Sequence, residues 1–173
     1  LGDGSTMTDG LVYYKDMMPE SQKGNSYSFP DDRLVFTEEN PSRELTVAAH
    51  LAAASRTLKG FNDTLSDQAL EVARAIYSNE YNLSGRVMNS KLHAASELLL
   101  TTGEEQYRKF ILENETAVIK GIRDLAWLLG RSLDKIGNVQ FTSSVRTAAK
   151  TLSDEITKLS AETPFGVPYR PHI

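Results

Sequence analysis

His93 and Glu97 stand four residues apart, a spacing that puts two ligating side chains on one face of a helix. No third ligand lies nearby, and His93 sits between Leu92 and Ala94 in an apolar stretch. The expectation is therefore a hydrogen-bonded, partly buried histidine, because buried polar groups find partners. His50, between Ala49 and Leu51, is read the same way. Carboxylate pairs would point elsewhere, since cleavage of a glycosidic bond needs two of them flanking that bond. Asp31-Asp32, within Phe29-Pro30-Asp31-Asp32-Arg33, is the obvious doublet, but Pro-Asp-Asp is also common turn chemistry. Glu38-Glu39 and Glu104-Glu105 each precede a helical stretch, where negative charge favours the helix start. Nucleophile elbow, phosphate-binding loop and dinucleotide fingerprint are all missing from the sequence. Gly2-Asp3-Gly4-Ser5 reads as a loop.

Aromatic residues offer a different chemistry. Sugar rings have apolar faces and polar rims, so a glycan cleft needs aromatic platforms beside hydrogen-bonding groups. Tyr13, Tyr14 and Tyr27 near one end, with Tyr169, Arg170 and His172 near the other, supply such a mixture. Trp127 is the only tryptophan; it lies in the apolar stretch Leu125–Leu129 and is expected in the core.

The elements that would position these side chains fall into two parts. Residues 1–41 are rich in Gly, Pro, Ser, Asn and Asp and are expected to form a packed, irregular entry segment. Asp9–Tyr14 is a candidate short strand there, because Val and Tyr favour extended backbone. Residues 42–173 are helical in pattern. Ser42 is a candidate N-cap for a first helix with the small-residue face Leu45, Ala48, Ala49, Ala52 and Ser55, closed by Gly60. A second helix starts near Asp63–Ser66 with Leu70, Ala73 and Ile76 as its stripe. A third follows the turn at Asn82–Gly85 and ends at Thr102-Gly103, and a short fourth spans about Glu104 to Leu112. The fifth is expected from about Glu115 to Leu133, with a break near Gly130, and the sixth from about Gln140 to Ala161. Short connections make the helices antiparallel hairpins, so the class is all-α.

Composition narrows the partners. A net charge of −4 and a pI near 5.4 give no basic face for nucleic acid. No apolar run is long enough for a membrane segment. Without cysteine the chain has neither disulfides nor thiolate metal sites, and no cofactor is called for. The start at Leu1-Gly2-Asp3-Gly4 and the stop after Pro168-Tyr169-Arg170-Pro171-His172-Ile173 suggest a piece of a longer gene product.

Three segments taken together resemble glycoside hydrolase family 9. The first is Asp9-Gly10-Leu11-Val12-Tyr13-Tyr14-Lys15, similar to that family's Gly-Gly-Val-Tyr-Tyr-Lys strand. The second is Thr46-Val47-Ala48-Ala49-His50-Leu51-Ala52-Ala53-Ala54-Ser55-Arg56, followed by Phe61-Asn62-Asp63 and Ala69-Leu70-Glu71-Val72-Ala73. The third is Ala94-Ala95-Ser96-Glu97-Leu98 with Thr102-Gly103 and Tyr107, and Pro164-Phe165-Gly166-Val167-Pro168-Tyr169 adds to it. The resemblance implies an (α/α)6 barrel and inverting hydrolysis of β-1,4-glucan-like polysaccharide or oligosaccharide. It further implies a secreted or periplasmic protein, with a cleft touched by residues 25–43 and 165–173 and by Tyr169, Arg170 and His172 as substrate contacts. The family's Asp-x-Gly-Asp base motif and late acid Glu have no counterpart here, so no catalytic residue is assigned. The rest of the barrel would be the chain's natural partner, and its absence would expose apolar faces and favour self-association. The competing expectation is a non-catalytic helical module for protein interaction or glycan binding.

Overall fold

Helical structure sets in at Pro41, a residue suited to a first helical turn because the N–H it lacks would be unpaired there anyway. The computed structural model describes residues 11–13, 34–36, 40–163 and 166–167. The chain divides into two units, Leu1–Asn40 and Pro41–Ile173.

In the first unit, β1 (Leu11–Tyr13) pairs antiparallel with β2 (Leu34–Phe36). The register sets Leu11 opposite Phe36, Val12 opposite Val35 and Tyr13 opposite Leu34. β1 falls inside the strand expected at Asp9–Tyr14. Asp31-Asp32, Tyr14 and Tyr27 lie outside the described residues.

The second unit is all-α. Its helices are α1 (Pro41–Leu58), α2 (Asp63–Ser78), α3 (Gly85–Thr102), α4 (Glu105–Glu113), α5 (Glu115–Lys120), α6 (Ile122–Ile136) and α7 (Val139–Glu162). Side-chain pairs reveal their directions. Ser42 of α1 meets Ser90 of α3 at 2.8 Å, and one helix length on Thr101 of α3 donates to the carbonyl of Ala52 at 2.9 Å. α1 and α3 therefore run parallel. Asn89 donates to Asp124 at 3.3 Å and Arg131 to Glu97 at 2.6 Å, so α6 runs parallel to α3 as well.

The other helices return in the opposite sense. Ser66 near the start of α2 donates to the Ser55 carbonyl near the end of α1, whereas Tyr81, just past α2, donates to Glu44 at the start of α1. α4 begins beside the far end of α6, where Arg108 donates to the Ile136 carbonyl at 2.6 Å, and α5 completes that return. The end of α6 faces the start of α7, and the start of α6 faces its second half. Three helical hairpins result, with α1, α3 and α6 side by side.

Packing follows the small-residue pattern. Leu45, Ala48, Ala49, Ala52 and Ser55 are the buried residues of α1, and with mostly methyl-sized side chains they let its axis approach α3 closely. The main core gathers Leu92, Leu98, Leu99, Tyr107, Ile111, Leu128, Leu129, Ile136 and Phe141 from α3, α4, α6 and α7. Asn62 and Asn138 accept from the backbone N–H groups of Leu65 and Phe141, capping α2 and α7. The C-terminal end of α2 is capped by Lys91, a buried cation that donates to the carbonyls of Tyr77 and Asn79 and lies over the Tyr77 ring. Gly103, at φ 72°, ends α3 in the left-handed conformation that glycine adopts without strain.

Two local expectations are corrected. Ser42 is not a cap: it lies within the first turn of α1, and its hydroxyl reaches across to Ser90. The fifth helical stretch breaks at Gly121, not Gly130, which is interior to an unbroken α6. At Gly121 the backbone leaves helical angles, at φ −88° and ψ 10°, and the Asn89 side chain of α3 packs where a β-carbon would stand, 2.8 Å from its Oδ1.

Candidate functional site

Parallel alignment of α1, α3 and α6 brings their residues into three rows across the helices, one helical turn apart on α3 and α6. The first row holds Ser42 and Ser90, then Asn89 and Asp124. The second is a line of rings. His50 and His93 are edge-on with centroids 6.0 Å apart, and His93 and Trp127 are edge-on at 5.3 Å and 79°. The third row is charged, running Arg56, Glu97, Arg131.

Glu97 is the centre of that third row. Its side chain is 3% exposed, yet both oxygens are taken: Oε2 accepts from Arg56 Nη2 at 2.8 Å and Oε1 from Arg131 Nη2 at 2.6 Å. Arg56 also donates to the hydroxyl of Thr101 at 2.7 Å. Glu97 therefore has no free oxygen for a metal or a substrate proton, and the His93/Glu97 ligand spacing leads to no metal group among the described residues. The two arginines keep enough contact with solvent that the buried charge is compensated without being sealed off.

Trp127 overturns the core expectation, being 57% exposed. Its neighbours Leu125, Leu128 and Leu129 are buried, so a residue inside an apolar run points out of the core. Helical rotation by about 100° per residue explains this, since a stripe of i, i+3, i+4 spacing leaves the intervening position on another face. Arg131, one turn on, places its guanidinium carbon 5.7 Å from the Trp127 ring centre. An open groove of about 270 Å³ runs beside the indole, with Thr46, Arg86, Asn89, His93 and Asp124 among its walls.

His93 also departs from expectation. Among the described residues neither it nor His50 makes a hydrogen bond within the chain; their contacts are with rings. Burial holds the His93 imidazole below its ordinary pKa, Glu97 acts in the opposite direction, and His50 and Arg131 reinforce the lowering. The ring is therefore neutral at pH 7 and able both to donate and to accept.

Chemically the groove offers an aromatic face beside groups that donate and accept hydrogen bonds. It combines one exposed indole with an amide, three hydroxyls, a neutral imidazole, a carboxylate and a guanidinium. Asp124 is the one carboxylate among its walls, where general acid–base hydrolysis would need two. A larger groove of about 870 Å³ separates α5 and the start of α6 from α7, but its walls carry no aromatic ring. Tyr169, Arg170 and His172 lie outside the described residues, as do most of the two segments expected to touch substrate. Sequence reasoning missed Trp127, Asn89 and Asp124. A sharper reading of helical phase at Trp127 would have found the first, while the other two depend on how α3 and α6 meet. Among the described residues no helix is long and apolar enough to cross a membrane. No protein-family model, curated protein or solved structure matches this chain.

Proposed function

We propose that the chain is part of a polysaccharide-degrading glycoside hydrolase of the family-9 type, inverting and acting on β-1,4-glucan-like chains outside the cell or in the periplasm. The observation that carries this reading is the course of the helices. α1, α3 and α6 run parallel and adjacent, and α2, α4 with α5, and α7 return against them. Three such hairpins are what half of an (α/α)6 toroid would require. Two of the segments that resemble the family also meet: Arg56 of Ala-Ser-Arg pairs with Glu97 of Ala-Ala-Ser-Glu-Leu.

On this reading the catalytic carboxylates belong to parts of the enzyme beyond these 173 residues, and the groove at Trp127 contributes a sugar-ring platform. An exposed indole suits the apolar face of a pyranose, and the flanking polar groups suit its hydroxyls. The test uses the full gene product on soluble β-1,4-glucan, with the first-formed anomer followed by NMR. Release of the inverted anomer is the expected result. Absence of turnover by the full protein would overturn the hydrolase reading, and binding without turnover would leave a glycan-binding module.

A further inference from the structure

We propose that Glu97 is the positioning residue of the Trp127 platform, holding Arg131 beside the indole so that the ring keeps one orientation toward the groove. The inference rests on the glycan reading of Trp127 for its functional meaning, and on geometry for the rest.

Trp127 is flanked by two groups from different helices. His93 of α3 meets it edge-on, and Arg131 of α6 lies within cation–π range of its face. Arg131 is 45% exposed and carries a long flexible stem, so its position needs an anchor. Among the described residues Glu97 is its one hydrogen-bond partner, at 2.6 Å. Glu97 is fixed in turn by Arg56 at 2.8 Å, and Arg56 is tied to Thr101. A chain of contacts thus runs from α1 through the interior of the helix layer to the platform on α6.

Stability alone is a weak reason for such an arrangement. A buried carboxylate between two guanidinium groups is often matched in stability by well-packed apolar side chains. What the carboxylate supplies is orientation. It specifies where Arg131 stands before a ligand arrives, and that lowers the entropic cost of binding a flat ring against the indole.

The sole tryptophan makes the proposal directly readable, because fluorescence excited on the red edge, beyond tyrosine absorption, reports on Trp127 alone. The full chain is compared with Glu97→Met, Arg131→Met and Arg56→Met, each verified as helical by circular dichroism. Acrylamide quenching and fluorescence anisotropy of Trp127 are measured with and without cellohexaose. Glu97→Met and Arg131→Met are expected to raise the quenching constant about twofold and lower the anisotropy alike, and the double variant to add nothing further. Arg56→Met breaks the other half of the clamp but leaves Glu97 on Arg131, so it serves as the control for stability loss; its change in the Trp127 signal is expected to be clearly smaller than that of Glu97→Met. Cellohexaose affinity is expected to fall about fivefold in the first two variants. Should Glu97→Met unfold, Glu97→Gln takes its place, offering one acceptor oxygen to two guanidinium groups, with a smaller shift in the same direction. Parent-like quenching in the Glu97 and Arg131 variants, or an equal change in Arg56→Met, overturns the proposal. Failure of cellohexaose to perturb Trp127 in the parent overturns the glycan reading instead, and the quenching comparison still decides the role of Glu97.

Discussion

Arg56 and Glu97 are 41 positions apart in sequence, and Nη2 of one stands 2.8 Å from Oε2 of the other inside the layer formed by α1, α3 and α6. With Arg131 on the second oxygen, a single carboxylate ties three helices together. Glu97→Ala removes the shared acceptor and leaves two guanidinium groups facing a small void. The expected cost is about 2–4 kcal/mol, at the lower end of the range for breaking a buried pair because both arginines reach solvent. Urea denaturation followed by circular dichroism measures it, and a loss below the experimental error would show that the clamp contributes nothing to stability.

Gly121 and Gly130 respond in opposite directions to the same substitution. Alanine at Gly121 places its β-carbon 2.8 Å from Asn89 Oδ1 and 3.2 Å from the Ala117 carbonyl, so it displaces Asn89 from Asp124. A loss of about 0.5–1 kcal/mol is expected, set mainly by the backbone contact with the Ala117 carbonyl, since the Asn89 side chain can shift. Gly130 lies inside α6 with nothing within 4 Å of a built β-carbon, so alanine there should add roughly 0.5–1 kcal/mol. Thermal midpoints of the two variants should move to opposite sides of the parent.

Apolar side chains separate just as cleanly by depth. Leu128 is 1% exposed at the heart of the main cluster, and Leu128→Ala should cost about 2–5 kcal/mol through lost burial and the cavity left behind. Phe61 is 92% exposed in the α1–α2 turn, and Phe61→Ala should stay within about 0.5 kcal/mol of the parent. Equal losses would mean that Phe61 is covered in solution.

His93 gives the protein a defined pH response. Folding depresses its pKa below the ordinary 6.5, chiefly through burial, so the unfolded chain binds the proton more readily. The His93 contribution is therefore fully present above 6.5 and is lost as the pH falls through the lower, folded value. His93→Gln removes this dependence. Between about pH 7.5 and about pH 5 the parent should lose more stability than the variant, read as the difference between their denaturation midpoints. Parallel pH profiles would contradict the assignment.

Much of the helical unit was legible in one dimension. The small-residue stripe of α1, the boundaries of α2, α3 and α7, and the hairpin turns all follow from local propensity, capping and apolar spacing, which act over a few residues. Gly121 shows where that reach ends. Two glycines lay in the fifth helical stretch, and only Gly121, where the break falls, meets a side chain of another helix, Asn89 of α3.

The site was less legible for the same reason. Trp127 looked like core because its sequence neighbours are core; its place off the α6 stripe follows from helical phase, whereas its meeting with His93 depends on how α3 and α6 pack. Glu97 showed helical spacing to His93 and nothing of Arg56 or Arg131, since no local rule pairs residues 41 and 34 positions away. The amino-acid order alone determined an all-α second unit of antiparallel hairpins, because helix formation and turn geometry are short-range. Tertiary packing decided the parallel set α1, α3 and α6 and, with it, the rows that place Asn89 by Asp124, His93 by Trp127 and Arg56 by Glu97. Such rows exist only once three separate helices share one register, a choice made by the burial of their facing side chains.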